Sequence, residues 1–408
     1  VVATVTTDQT VINFGGTVNL NAAVTFTFND GTGTDMNISG TLIQTLGILT
    51  NSGQIVVQSG GVFRQARVGT PVPTATWNTG STCEITGWTT TVGGGLAGQS
   101  FANFTWNCAG QSSDIFLEAN LPTAISGLFK VQHTNGNTLG MANTATGRVW
   151  SNIDSMEVNT SGTFVMTGAV SGNSTPPTYT MTVNYFNQTG GVFEVSRSIT
   201  GGNYSFVVNN DFTTSGGTTR IMNGTSGSST LVGSITVSGA TAISGGVFDL
   251  NGVVSSNNAG RLFVRGNLTL SAGALQFTQA ITTGSSGIYF DGTGAQTFIH
   301  SGGTLSVASA AAGRRFFYKN ASGPTALNET YSAGAAQTTV NGSEGSPANA
   351  GSYAAWPTSG TLIGNLTIAN TLGGVTMSTN KTVNASTALT LTSGILTTTS
   401  ATQLTVGN

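Results

Sequence analysis

Charge is what this sequence has least of. Its 408 residues carry 12 Lys and Arg and 14 Asp and Glu, where an ordinary globular chain is about a quarter charged. The net charge of −2 is dispersed, so there is no basic stripe to follow a phosphate backbone, and nucleic acid is not an expected partner. The acidic residues form no tail or dense calcium array either. No apolar run reaches 18 residues, which excludes a transmembrane helix, and no membrane insertion is expected. Proline is scarce, at 8 residues, and no monotonous tract occurs, while 38% of the residues are hydrophobic; that is too much regularly spaced apolar surface for a disordered chain. No stretch of ten or more residues shows 3.6-residue periodicity with caps, so little helix is expected. Cysteine is limited to Cys83 and Cys108, a disulfide in an exported protein or two free thiols in a cytosolic one.

What the sequence has is glycine, 58 residues of it, in a beat. A small-Gly-x-hydrophobic element recurs at Gly60-Gly61-Val62-Phe63, Ser161-Gly162-Thr163-Phe164, Gly190-Gly191-Val192-Phe193, Gly216-Gly217-Thr218, Gly245-Gly246-Val247-Phe248, Ala272-Gly273-Ala274-Leu275 and Gly302-Gly303-Thr304-Leu305. From Gly162 to Gly303 the second residues step by 29, 26, 29, 27 and 30, a period of solenoid size. Gly266-Asn267-Leu268-Thr269-Leu270 returns as Gly364-Asn365-Leu366-Thr367-Ile368, and Asp30-Gly31-Thr32-Gly33 as Asp291-Gly292-Thr293-Gly294. Between the glycines run alternating segments such as Tyr179-Thr180-Met181-Thr182-Val183, the pattern of a strand with one buried face. A β-sandwich array would give turns every 8–12 residues and a domain period near 100. The beat instead predicts an all-β parallel β-helix, a β-solenoid with rungs of about 26–30 residues and lateral loop excursions.

The organisation expected is N-terminal rungs over 1–75, a Trp- and Cys-containing solenoid segment over 76–118, regular repeats over 119–307, a loop-rich excursion over 308–360, and C-terminal rungs over 361–408. The last stop in mid-strand idiom, so the solenoid is expected to continue beyond the sequence given.

No constellation for catalysis emerges, and an enzyme is not expected. Glycoside hydrolysis needs two carboxyl groups about 5–10 Å apart, which on a β-helix means acidic residues one rung apart; Asp211, Asp249 and Asp291 are spaced 38 and 42. Asn29-Asp30-Gly31-Thr32-Gly33-Thr34-Asp35 has oxygen ligands and turn glycines, but its copy at Asp291 lacks the second carboxylate, so it reads as a turn rather than a metal loop. His133 and His300 read as solvent-facing strand residues. No catalytic residue, metal or cofactor is assigned. Trp77, Trp88 and Trp106 are candidates to stack on sugar rings, against the reading that large aromatics fill the core; Arg314, Arg315 and Tyr318 are candidates to meet anionic glycans.

Residues 74–110, with TATWNTGSTCEITGWTTT followed by LAGQSFANFTWNCAGQ, resemble a segment of very large secreted repeat proteins of the Bacteroidetes. The downstream FDGTGAQTFIHSGG and GNLTLSAGALQF resemble the same family. The resemblance implies a cell-surface adhesin or structural layer, exported by the type IX secretion machinery and displayed on or released from the cell; stacked rungs, which make a stiff rod, add a stalk or filament to that expectation. It also implies a pairing of Cys83 with Cys108, and Asp154-Ser155-Met156 resembles the acceptor of Bacteroidetes O-glycosylation, with Ser155 the candidate. Surface glycans, through the aromatic and basic candidates, or other copies of the chain, through low charge and open end rungs, are the expected partners. The family's C-terminal sorting domain is not seen. A polysaccharide-processing β-helix enzyme and a carbohydrate-binding module are the alternatives.

Overall fold

Outward Thr, Ser and Asn alternating with inward Val, Ile, Leu and Phe leave each strand with one wet and one dry face. Strands of that kind bury both edges by pairing in parallel with copies above and below. The computed structural model of the chain has this form. Parallel strands stack as a β-solenoid of about 12 turns, with 61% strand and 1% helix. It describes residues 2–5, 10–28, 33–51, 53–144, 146–168, 177–197, 202–223, 231–252, 258–277, 286–307, 316–319, 323–338, 353–355, 359–362, 364–377, 380–383, 386–400 and 402–406. These fall into two compact units. The first is Val1–Thr144, Arg148–Met166 and Met181–Val192; the second is Ala145–Gly147, Thr167–Thr180 and Phe193–Asn408.

In the first unit each early rung has three short strands, and each strand heads a column. One column begins Val2–Val5, Thr25–Phe28, Ile48–Asn51, a second Thr10–Ile12, Thr34–Ile38, Gln54–Val57, Thr76–Trp77. The third stacks Thr17–Leu20, Thr41–Gln44, Val62–Gln65, Thr82–Ile85 and Asn103–Asn107. Thr41 pairs with Val62, Val62 with Thr82 and Thr82 with Asn103, so these rungs advance by 20 or 21 residues, below the 26–30 read from the glycines. They are shorter because the strands are brief and the corners tight. The segment 76–118 supplies strands to these same columns.

In the second unit partners lie 26 to 30 apart from Gly202 to Thr304. Here long strands, Phe212–Met222, Thr241–Asp249 and Leu268–Phe277, bend around a corner without breaking. The bend is glycine: Gly217, Gly246, Gly273 and Gly303 all have φ between 70° and 75°, a region closed to most L-residues. They also stack so closely that a Cβ on Gly246 would lie 2.4 Å from the carbonyl oxygen of Gly217, and one on Gly273 2.5 Å from that of Gly246. The glycine beat of the sequence is this column.

Two polar devices join successive rungs. Asx side chains accept backbone N–H groups from the next turn: Asp114 from Thr138, Asp211 from Ala240, Asn267 from Thr297 and Asn365 from Ala388. The repeated Gly-Asn-Leu-Thr segments therefore carry a clasp at Asn267 and Asn365, and buried Leu268, Leu270, Leu366 and Ile368 beneath it. Buried amides at the corners form the second device. Gln65 donates to Gln44 and to the carbonyl of Pro71; Gln111 donates to Ser113 and Thr138; Asn370 donates to Gln337, Ala335 and Gly374. They supply donors to corner carbonyls, some of which, as at Thr138 and Gly374, also accept a backbone N–H.

Candidate functional site

The tryptophans proposed for sugar contact belong largely to the core. Trp88 and Trp106 are fully buried and meet edge to face at 5.9 Å; Nε1 of Trp88 donates to the Thr70 carbonyl and Nε1 of Trp106 to Gln111. With the N–H satisfied inside, neither presents a ring to a ligand. Trp77 is half-buried, donates to Gln99 and continues a column with Phe63 and Phe101. The partner amides, Gln99 and Gln111, each close an Ala-Gly-Gln triplet, which by itself does not mark an indole acceptor.

The cysteines are a second correction. Both are buried free thiols. Cys83 pairs in register with Phe104, so Cys108 lies four residues farther along the neighbouring strand. At roughly 3.3 Å per residue that offset is about 13 Å, beyond the 7 Å Cα separation a bridge tolerates. Burial, and secondarily the Glu84 charge, pushes the Cys83 thiol well up; burial pushes Cys108 up to about 12, and its Sγ lies 3.4 Å from the Ile85 carbonyl. His300 is buried rather than solvent-facing, with Nε2 3.3 Å from the Gly303 carbonyl. Ser155 is half-buried on a strand, its hydroxyl donating to Asp154 at 3.1 Å.

Every described carboxylate has a structural partner. Glu84 holds Arg64 and Asn107, Glu157 holds Lys130, and Asp154 accepts from Asn184 and Ser155. Glu118 accepts from Asn143 and Thr144, and Asp35 from Gln54. Glu194, fully buried, holds Arg197, Arg220 and Asn223. Glu329, also fully buried, holds Lys381 and the Tyr331 hydroxyl. Asp249 accepts from the Asn251 backbone. Among the described residues no three His, Cys, Asp or Glu side chains gather into a metal cluster.

One group of charges faces outward with capacity to spare. In the second unit Val237 pairs with Val264, Val264 with Phe290 and Phe290 with Tyr318. The residues that follow, Ser238, Arg265, Asp291 and Lys319, thereby form one column, and with Gly292 and Thr293 they line an open pocket of about 400 Å³. Asp291 is shared: Oδ2 lies 3.6 Å from Nε of Arg265 and Oδ1 3.3 Å from Nζ of Lys319. Buried Gln296 fixes the wall, accepting from the Gly292 N–H and donating to the carbonyls of Val264 and Gly266. Gly292 is required, since a Cβ there would meet the Arg265 carbonyl at 2.2 Å. Beside this column runs a stack of Phe263, Tyr289 and Phe317 at 5.0 and 4.9 Å.

No family model, curated protein or solved structure matches the chain. The reading of this column therefore rests on its own chemistry, which is two cations around one carboxylate, a net single positive charge. Of the residues expected to meet anionic glycans, Arg314 and Arg315 lie outside the described residues. Tyr318 is half-buried on the inward column with Val264 and Phe290 rather than beside Lys319 in the pocket. The sequence did hold a signal for the column. Ser238, Arg265, Asp291 and Lys319 are spaced 27, 26 and 28, one rung each, but a search for paired carboxylates passes over a column of mixed sign.

Proposed function

We propose that the chain is a non-catalytic structural and adhesive solenoid, displayed on or released from a bacterial surface. On this reading its partners are surface glycans or further copies of itself, and the type IX machinery is its route of export. The observation that carries the proposal is the commitment of the carboxylates. Glycan cleavage on a β-helix needs acid groups held apart and open to substrate, whereas the described ones neutralise a cation, clasp a neighbouring turn or, at Asp249, hold a local backbone N–H. Low charge also suits a surface layer, since like charges stacked about 4.8 Å apart repel. The resemblance of residues 74–110 to secreted Bacteroidetes repeat proteins supports the same location.

The test is incubation of the purified chain with a broad polysaccharide panel, together with retention on glycan-coated and self-coated surfaces. No new reducing ends and saturable retention on at least one coating are expected. Release of reducing ends would overturn the non-catalytic half, and failure to be retained on any coating the adhesive half.

A further inference from the structure

We propose that the column of Ser238, Arg265, Asp291 and Lys319 is a binding site for the acidic group of a saccharide, a carboxylate or a sulfate. The inference rests on the adhesive reading and gives it a ligand class. Three observations carry it. First, the site has surplus positive charge: Asp291 is divided between two cations at 3.6 and 3.3 Å, longer than the 2.7–2.9 Å of a closed charge-assisted hydrogen bond. Arg265 has five N–H donors and Lys319 three, so most remain for a ligand. Their side chains are 49% and 33% exposed, against 10% for Asp291; an incoming anion meets the cations and not the carboxylate.

Second, the site is built in advance. Arg265 and Asp291 are anchored through their backbone N–H groups to Val237 and Val264, and Gln296 clamps the Gly292 turn. A ligand therefore orders little beyond two side chains, which keeps the entropic cost of binding low. Third, the surroundings suit a hydroxylated anion. Ser238 and Thr293 bring hydroxyls to the rim, and the pocket of about 400 Å³ falls in the range that accepts small ligands. A saccharide carries hydroxyls of its own to pair with these, beyond its acidic group. A nucleic-acid backbone would need a stripe of like charge, where this column alternates in sign.

The experiment measures binding of the whole chain to oligogalacturonate, to a sulfated dextran oligomer, to neutral dextran of the same length and to inorganic sulfate. One or both acidic oligosaccharides are expected to bind at least about tenfold more tightly than the neutral one, with affinity falling as salt rises. Arg265→Gln and Lys319→Gln should each weaken that binding about tenfold. Lys319→Arg should retain it, and Arg64→Gln, an ion-pair change in the first unit, should leave it unchanged; thermal midpoints confirm that each variant folds. Equal binding of neutral and acidic oligomers, sulfate binding as tight as the oligosaccharides, or variants indistinguishable from the parent would overturn the site. So would a single-stranded oligonucleotide with the same dependence on Arg265 and Lys319. The same proteins are assayed for surface retention. Retention that survives both substitutions, with acidic-sugar binding also unchanged, removes this site and leaves the adhesive reading. Acidic-sugar binding without retention on any surface removes the adhesive reading and leaves the site.

Discussion

The two units solve the same problem, turning a corner every few residues, with different materials. In the first the rungs from Thr41 to Asn103 advance by 20 or 21 residues. Its interior there is a column of large rings, Phe63, Trp77, Phe101, Phe104 and Phe129, and its corners are held by side-chain amides such as Gln44 and Gln65. In the second the rungs advance by 26 to 30, and the corner lies inside a continuous strand, bent at stacked glycines. The first device adds side-chain amides to corner glycines such as Gly16, Gly40 and Gly61, which lie between strands rather than within them. The second carries its left-handed glycines, Gly217, Gly246 and Gly273, inside the strands themselves. The difference teaches that mutational sensitivity should sit in different atoms of the two units.

Glycine exposes the contrast most sharply. Gly246 and Gly136 both have positive φ, 70° and 77°. A Cβ on Gly246 meets the Gly217 carbonyl oxygen at 2.4 Å, while one on Gly136 meets nothing within 4 Å. Gly136→Ala should lose only the left-handed penalty of about 1–2 kcal/mol. Gly246→Ala adds a backbone clash that the stacked neighbours on both sides cannot relieve, so its cost should exceed about 4 kcal/mol, with hydrogen exchange raised in the flanking turns. Equal losses in urea melts of the two variants would mean that the glycine column is a matter of conformation alone.

The buried ion pair is the next contrast. Lys381 and Glu329 are fully buried and in contact, with the Tyr331 hydroxyl on the other carboxylate oxygen; in the first unit Lys130 and Glu157 form a pair at 3.0 Å that keeps partial solvent access. Lys381→Met should cost about 3–5 kcal/mol, because it strands a buried carboxylate. Lys130→Met should cost about 0–1 kcal/mol. The Lys381→Met/Glu329→Leu double variant should recover most of the loss, since replacing both charges removes the stranded one. A double variant as unstable as the single would show that packing, not charge, governs the site.

How much of this was legible in the sequence follows from the same contrast. The second unit announced itself because its corners demand one residue type at one spacing, and Gly217, Gly246, Gly273 and Gly303 print that spacing directly. The paired Gly-Asn-Leu-Thr echoes were legible for a related reason: Asn267 and Asn365 perform one clasp on two rungs. The shorter rungs of the first unit were not read, because their own small-Gly corners at Gly16, Gly40, Gly61 and Ser81 step by 24, 21 and 20, and the beat was counted only from Gly162 onward. The cysteine pairing came from the resemblance, whereas register pairs Cys83 with Phe104 and sets the two thiols four residues apart. The basic column was missed through the choice of pattern, since Arg265, Asp291 and Lys319 follow the beat that had already been counted.

The thiols give the smallest expected effect and separate the units by pH. Cys83 and Cys108 are the only cysteines in the chain and both belong to the first unit. Burial raises both, Cys108 to about 12 from an ordinary value of 9.0. The folded state therefore keeps its protons at a pH where the unfolded chain has released them. Stability from these groups is intact below about pH 9 and declines as pH climbs toward 12, by about 1.4 kcal/mol for each thiol per pH unit. Urea melts at pH 8 and pH 10 should show a larger loss for the parent than for a Cys83→Ala/Cys108→Ala variant, confined to probes in the first unit. At pH 8 without denaturant, both thiols should resist a thiol reagent and react once the first unit opens. Rapid labelling of either cysteine in the folded chain would place it at the surface and undo the register argument against their pairing.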